Sequence, residues 1–393
     1  MRNLSLLLLI FAALASPGRV PHAQADCWSL WVTRWDYKSA EDVMQIMENV
    51  KQLGIDRVLF QVRGNATVDY PSKIEPWGWE LTGKDAGALG RDPGWDPLAT
   101  AIREAHRRGL QLHAWMNVLP GWRGLDPPPR GSRQPWANHR NWFMVDHLGV
   151  LMWPTQNFYT FLSPGHPQAR SYLASVFGEA AKRYPQLDGI HMDYVRYPAQ
   201  QELGTFRDFS YDDASVSAFK KKYKKKPAPD LPEWEQFKCA QVAETIRMIH
   251  SAIRNASPTL PISATFVAEI DRATSETGQD PRIWLSEHWV DWVIPMAYKR
   301  SSDKLMETLT RLDQVVDPKW KESMNIGLNL DFNSTGEIRN QMELVSVGQY
   351  GGAALFAYNA LYPDHQPNRK AKTVQTIIRD ERLKSLILNK TKR

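Results

Sequence analysis

Along this chain a short apolar run of β character is followed by an amphipathic helical stretch, and the pair recurs eight times. The runs at 29–37, 57–63, 110–118, 188–195, 262–268, 289–298, 323–330 and 353–358 read as strands. Helical periodicity fills 40–53, 97–108, 167–184, 234–256, 280–287, 304–316, 336–348 and 369–388. Strands that alternate with helices predict a parallel sheet with helices packed on its faces. Eight is the number that closes such a sheet, so the predicted fold class is α/β, a (β/α)8 TIM barrel. The competing arrangement is a doubly wound open sheet. Its first turn would carry glycines around a phosphate, but Val32-Thr33-Arg34-Trp35 leads into the first helix without one.

Two insertions interrupt the rhythm, at 119–164 after the third strand and at 198–233 after the fourth. Both leave the C-terminal ends of strands, where barrel active sites are built. Ahead of the first strand, residues 1–25 have a basic start, a short apolar run and an Ala23-Gln24-Ala25 end. That is the pattern of a cleaved signal peptide. Residues 26–393 are then expected to form one barrel domain, exported to a periplasm or beyond the cell, monomeric and without a membrane span. Cys27 follows the acidic Asp26, which disfavours a lipid anchor at that cysteine.

Charge and cysteine content exclude several classes. Of the 49 basic residues, Arg2 and Arg19 fall in the leader, so 47 face 43 acidic ones. The mild excess sits largely in Lys220-Lys221-Lys222 and Lys224-Lys225-Lys226, which reads as a solvated helix end stopped by Pro227. No basic helix or nucleic-acid module accompanies it, so no nucleic-acid partner is expected. Two cysteines, Cys27 and Cys239, supply neither a disulfide framework nor a cysteine-rich zinc site. No cofactor or metal ion is expected.

The chemistry concentrates at strand ends. The fourth strand runs Asp188-Gly189-Ile190-His191-Met192-Asp193-Tyr194-Val195-Arg196. Alternation puts His191 and Asp193 on one face. If Ile190 and Met192 pack outward, both point into the barrel mouth, with Arg196 as the partner that offsets a buried carboxylate. Glu269 lies just past the fifth strand, one unit on from Asp193. Two acids on neighbouring strand ends suit glycoside hydrolysis, one as nucleophile or base and the other as general acid. The simpler alternative for Glu269 is a loop salt bridge with Arg272. Asp331, past the seventh strand, could hold a substrate hydroxyl, replace Glu269 as the acid, or merely cap the turn toward Asn333.

Around these acids, His113, Trp115 and Asn117 alternate onto one face of the third strand, and Gln61 and Arg63 share a face of the second. Trp115 offers an apolar plane to a sugar ring, Asn117 offers donors and an acceptor, and Arg63 a positive charge. Tyr298 and Tyr358 end the sixth and eighth strands and would add rim contacts. Among 16 tryptophans, Trp77, Trp79, Trp122, Trp136, Trp142 and Trp153 fall in the loops after strands two and three. Some are expected to be platforms for a polysaccharide and others to pin the loops.

These motifs resemble the glycosyl-hydrolase-like 10 family. The resemblance is carried by the strand-four segment through Tyr197-Pro198, by Phe60-Gln61-Val62-Arg63, by His113-Ala114-Trp115-Met116-Asn117, and by Leu162-Ser163-Pro164-Gly165-His166-Pro167. It implies a TIM barrel with glycoside hydrolase activity, exported in many members and directed at peptidoglycan-type strands in some, with Asp193 as the key carboxylate. A more distant similarity to amylase-type barrels maps the nucleophile onto Asp193 and the proton donor onto Glu269, by strand order alone. Two departures stand out. Many relatives carry a second acid where this chain has Tyr194, and Gly64-Asn65-Ala66-Thr67 lacks the acid often found after the second-strand arginine. The expectation is thus a polysaccharide hydrolase with catalytic Asp193 and Glu269, and with Arg63, His113, Trp115, Asn117, His191, Arg196, Tyr298, Asp331 and Tyr358 around the substrate. The rivals are a metal-dependent polysaccharide deacetylase using His113, His191 and Asp193 as ligands, and a non-catalytic glycan-binding barrel.

Overall fold

The computed structural model describes residues 27–83 and 88–391, with side chains to residue 380; the leader expected at 1–25 lies outside the described residues. Eight parallel strands close into a barrel: β1 (Cys27–Val32), β2 (Arg57–Arg63), β3 (Gln111–Asn117), β4 (Gly189–Asp193), β5 (Ile262–Val267), β6 (Trp292–Met296), β7 (Asn325–Asn329) and β8 (Gly352–Phe356). Each strand neighbours the next in sequence, and β1 seals the sheet against β8 in the register Cys27↔Gly352 to Leu30↔Leu355. The principal outer helices are α1 (Ala40–Leu53), α2 (Pro97–His106), α3 (Pro167–Arg183), α4 (Pro232–Ala256), α5 (Pro281–Ser286), α6 (Ser302–Val315), α7 (Thr335–Val347) and α8 (Arg369–Thr391).

The first unit shows how local chemistry sets these elements. Ser39 caps α1 by accepting from the Asp42 amide, while the Asp42 carboxylate returns a bond to the cap, satisfying otherwise orphaned donors. Val43, Ile46, Met47, Val50 and Leu53 recur at helical spacing and bury the inner face. Gly54 ends the helix at φ 91°, a left-handed conformation that suits glycine. The first strand is shorter than its apolar run predicts. Asp36 accepts from the Thr33 amide at 2.6 Å, and this turn pulls Thr33–Tyr37 out of the sheet.

Burial separates two compartments. One shell lies between strands and helices; it includes Val58, Phe60, Leu112, Ala114, Ile190 and Met192. The barrel interior holds the opposite parity: Trp31, Leu59, Trp115, Trp292, Ile294 and Ala354, with His113 and His191 beside them. This core is a packed floor of rings, so the barrel opens above it, at the C-terminal strand ends.

The insertions cover that end. In 119–164, a two-stranded antiparallel ribbon, Pro120–Arg123 against Tyr159–Phe161, stands on buried Trp122, Trp136 and Phe143. In 198–233, Asp208 takes the Lys238 ammonium at 2.6 Å and the Trp234 indole N–H at 2.8 Å, tying the loop to α4. The lysine run is the exposed end of the helix Asp213–Tyr223, as expected. Among the described residues no helix is long and apolar enough to cross a membrane.

Candidate active site

A cleft of about 440 Å³ opens above the aromatic floor. Asp193 enters it from the last position of β4. Its Oδ1 accepts the Thr265 hydroxyl of β5 at 2.6 Å and the Tyr194 amide at 2.7 Å. No hydrogen bond among the described residues reaches its Oδ2. The amide bond depends on Tyr194 standing at φ 51°, a left-handed conformation that costs a non-glycine residue roughly 1–2 kcal/mol. Two ladder bonds hold it there, from Val118 N–H to the Asp193 carbonyl at 2.7 Å and from Leu119 N–H to the Tyr194 carbonyl at 3.2 Å. Burial raises the proton affinity of Asp193. The Thr265 hydroxyl, the Tyr194 amide, Arg196 and the Trp115 indole oppose it without cancelling it.

Glu269 follows β5 and starts the short helix Ile270–Ser275. Its carboxylate pairs with the Lys299 ammonium, which comes from the turn after β6. The backbone carbonyl of Lys299 is clamped by Asn333 Nδ2 at 2.9 Å and Gln341 Nε2 at 3.0 Å. Burial lowers the proton affinity of Lys299. Arg272 pairs with Glu276, so the alternative bridge from Glu269 to Arg272 is not formed.

A third carboxylate, Glu202, also lines the cleft but is committed. Arg196 Nη2 and Nη1 donate to its two oxygens at 2.7 and 2.8 Å, and the Ala199 amide adds a bond at 2.8 Å. Burial pushes its proton affinity up, but Arg196 and that amide outweigh burial and leave it below the usual value. Arg196 is therefore the partner of Glu202, not of Asp193 as expected, although its charge still favours the Asp193 carboxylate.

Of the other expected residues, Trp115, Asn117 and Tyr298 line the cleft. Asn117 donates to the Gly64 carbonyl at 3.1 Å, and the buried Trp115 Nε1 makes no hydrogen bond. Burial and the neighbouring Asp193 hold the Tyr298 phenol well above its usual proton affinity.

Five of the expected substrate contacts are placed elsewhere. His191 shares a face with Asp193, but it stands two residues deeper, about 6.6 Å along the strand. There Trp31 Nε1 donates to its Nε2 at 3.2 Å, and Ser263 Oγ meets its Nδ1 at 2.9 Å. Burial, with Arg57 nearby, pushes it down to about 3, so it is neutral near pH 7. His113 lies in the floor against Trp292, and burial likewise lowers it well below the ordinary value. Arg63 leaves the mouth because the β2–β3 register shifts between Gln61 and Arg63, which upsets the alternation. Its guanidinium is fully buried against Glu75 at 2.6 Å and donates to the Val118 carbonyl at 3.0 Å. Tyr358 turns away to Asn49 of α1, whose Nδ2 donates to its hydroxyl at 2.8 Å.

Asp331, the fifth, is exposed and is not on the cleft wall. Nor are the six loop tryptophans. Trp122 and Trp136 pin the insertion, and Trp153 lies exposed across Trp136. Among the described residues no three His, Cys, Asp or Glu side chains group so as to hold a metal ion, which leaves His113, His191 and Asp193 apart as a ligand set.

The wall also contains Arg34, Trp35, Tyr159, Tyr194, Glu202 and Lys299, which the sequence reading did not place there. Arg34, Trp35, Tyr194 and Lys299 each lie within three residues of a strand's C-terminal end, and that position was the available signal. Tyr159 and Glu202 arrive on the insertions, where no local pattern marks them.

A closed eight-strand barrel with carboxylates at the C-terminal face has the architecture of TIM-barrel glycoside hydrolases. Solved structures agree on the fold. A β-galactosidase from Marinomonas ef1 superposes with a TM-score of 0.64 at 12% identity, covering 92% of this chain and 60% of that one. The catalytic domain of a Paenibacillus polymyxa β-amylase gives 0.61 at 11%, covering 90% and 98%. The glycosyl hydrolase-like 10 model matches residues 26–331, and the chain belongs to that family. It is 27% identical over 274 residues to "Glycosyl hydrolase YngK" of Bacillus subtilis, covering 66% of this chain and 49% of that protein. It is 30% identical over 278 residues to "Glycosyl hydrolase DigH" of Escherichia coli, covering 64% and 56%. The match therefore spans about half the length of these curated relatives.

Proposed function

We propose that this chain hydrolyses glycosidic bonds of a polysaccharide through Asp193 and Glu269, with bacterial cell-wall glycan as the leading substrate class. One observation carries the reading. Three carboxylates line the cleft, and among the described residues only two of them, Asp193 and Glu269, keep one oxygen free of hydrogen bonds while the other is held. Asp193 Oδ2 is the nucleophile or base: its other oxygen is anchored, so the free one is aimed without rotating. Glu269 is the general acid toward the leaving oxygen; the proton it gives up there is replaced from solvent, and Lys299 holds its other oxygen. Asn117 offers a polar contact, and Trp35, Tyr159 and Tyr298 offer planes for sugar rings. The names of the two curated relatives support the same class.

The test is Asp193→Asn on a panel of polysaccharides that includes purified peptidoglycan. The variant keeps the parent's fold and its retention on the polymer, and turnover disappears. Parental turnover in this variant, on any polymer the parent cleaves, would overturn the assignment.

A further inference from the structure

Behind one cleft wall, the segment after β2 brings two carboxylates together. Asp69 is 2% exposed and Glu80 7%. A Cβ placed on Gly78 would lie 2.7 Å from Asp69 Oδ1 and 2.6 Å from Glu80 Oε2, so both oxygens face the same small space. Among the described residues neither oxygen has a hydrogen-bond partner. Their sister oxygens do. The Tyr37 hydroxyl, which also reaches the Gln61 carbonyl at 2.7 Å, meets Asp69 Oδ2 at 3.0 Å, and Arg34 Nε donates to Glu80 Oε1. Two bare, facing, buried oxygens that both carried charge would repel each other and forgo hydration. A single proton on the pair, bonded to Asp69 Oδ1 and turned toward the space it shares with Glu80 Oε2, removes one of the two charges.

Arg34 is the element this pair touches in the cleft. Its backbone N–H is held by Gln61 Oε1 at 3.2 Å, and its Nη2 donates to the Tyr159 hydroxyl at 3.1 Å. Nη1 makes no hydrogen bond among the described residues. The charged and titratable groups facing the pair are Arg34 and Tyr37, and Arg34 in turn faces Tyr159.

We propose that Asp69 and Glu80 share one proton in the resting protein, and that this singly charged pair positions Arg34 with Nη1 available to an oxygen of a bound glycan. Burial, then the Glu80 charge, raises the Asp69 proton affinity well above that of an ordinary carboxyl, in keeping with the geometry. With one shared negative charge, Arg34 is matched one to one. Loss of the proton would place two negative charges behind a single guanidinium. The recognition part rests on the glycan reading above; the shared proton does not.

Isotope-edited infrared spectra of protein labelled at its aspartates test the proton directly. The parent shows protonated-carboxyl absorption at neutral pH, and Asp69→Asn removes one aspartate's share of it; Asp36 and Asp193, whose proton affinities burial also raises, account for any remainder. No such absorption in the parent, or no loss of intensity in the variant, overturns the shared proton whether or not any glycan is cleaved. Co-sedimentation with insoluble peptidoglycan, chitin and starch tests the recognition. Asparagine reproduces the neutral acid, so Asp69→Asn is retained like the parent. Glu80→Gln removes the one charge and Arg34→Met the guanidinium, and each weakens retention at least tenfold. Equal weakening by Asp69→Asn and Glu80→Gln would show that both charges are needed and sink the proposal. Unchanged retention of Arg34→Met, or a parent that binds none of the polymers, would sink its recognition half. Polymer retention with no cleavage by the parent would instead count against the hydrolase reading alone.

Discussion

Replacing Thr265 by valine removes one hydroxyl and almost no volume, so it isolates what that hydroxyl does for Asp193. The bond is 2.6 Å long, between a side chain 1% exposed and a carboxylate 6% exposed. A hydrogen bond to a charged group contributes about 1.5–3 kcal/mol. If all of it acts on the reacting carboxylate, kcat/KM falls roughly ten- to hundredfold. The pH profile carries the sharper signature. The hydroxyl favours the ionised carboxylate and partly offsets burial, so its loss raises the proton affinity of Asp193 further. The acidic limb of kcat/KM then moves to higher pH. The stability sign is also set. A carboxyl whose proton affinity is raised in the folded state contributes stability below its unfolded value and loses it as pH rises through the folded one. Thr265→Val should therefore lose more stability than the parent as pH rises through that window. The assays are reducing-end release and thermal unfolding from about pH 4 to 9. Thr265→Ser restores the hydroxyl and should restore both limb and rate. A valine variant with the parent's rate and limb would refute the view that Thr265 holds the reacting carboxylate, as would a serine variant no better than valine.

Two further changes probe the scaffold that supports the cleft. Arg63→Met strands Glu75, whose partner is fully buried, and should cost about 3–5 kcal/mol in urea unfolding; a loss below about 1 kcal/mol would show that the pair is solvated. Gly189→Ala places a methyl 2.1 Å from His113 Nδ1 inside the aromatic floor, and the overpacking should cost about 1–3 kcal/mol; an unchanged melting temperature would mean that the floor is loosely packed.

Much of the architecture was legible along the chain. The eight β-then-helix pairs predicted the barrel, and the structure closes it with every expected strand present. Parity was legible too: His191 and Asp193 do share the inward face, and Ile190 and Met192 do pack outward. Depth was not. Alternation repeats every two residues, so it separates inside from outside but does not tell floor from mouth. The same blindness misplaced His113. Arg63 failed for a different reason. A one-residue register shift reverses the side a residue faces, and only pairing with β3 reveals it.

The inference that acids gather after strands four and five follows from chain order, since neighbouring strands in a barrel are neighbours in sequence. Their partners do not follow from it. Glu269 meets Lys299, Arg196 meets Glu202, and Arg34 meets Glu80, across separations of 30, 6 and 46 residues. Local periodicity is a property of backbone dihedrals and side-chain polarity, so the order of residues is enough to state it. Which charges neutralise one another, and how deep each side chain stands, depends on distances that exist only after the sheet has curled shut and the insertions have folded over it.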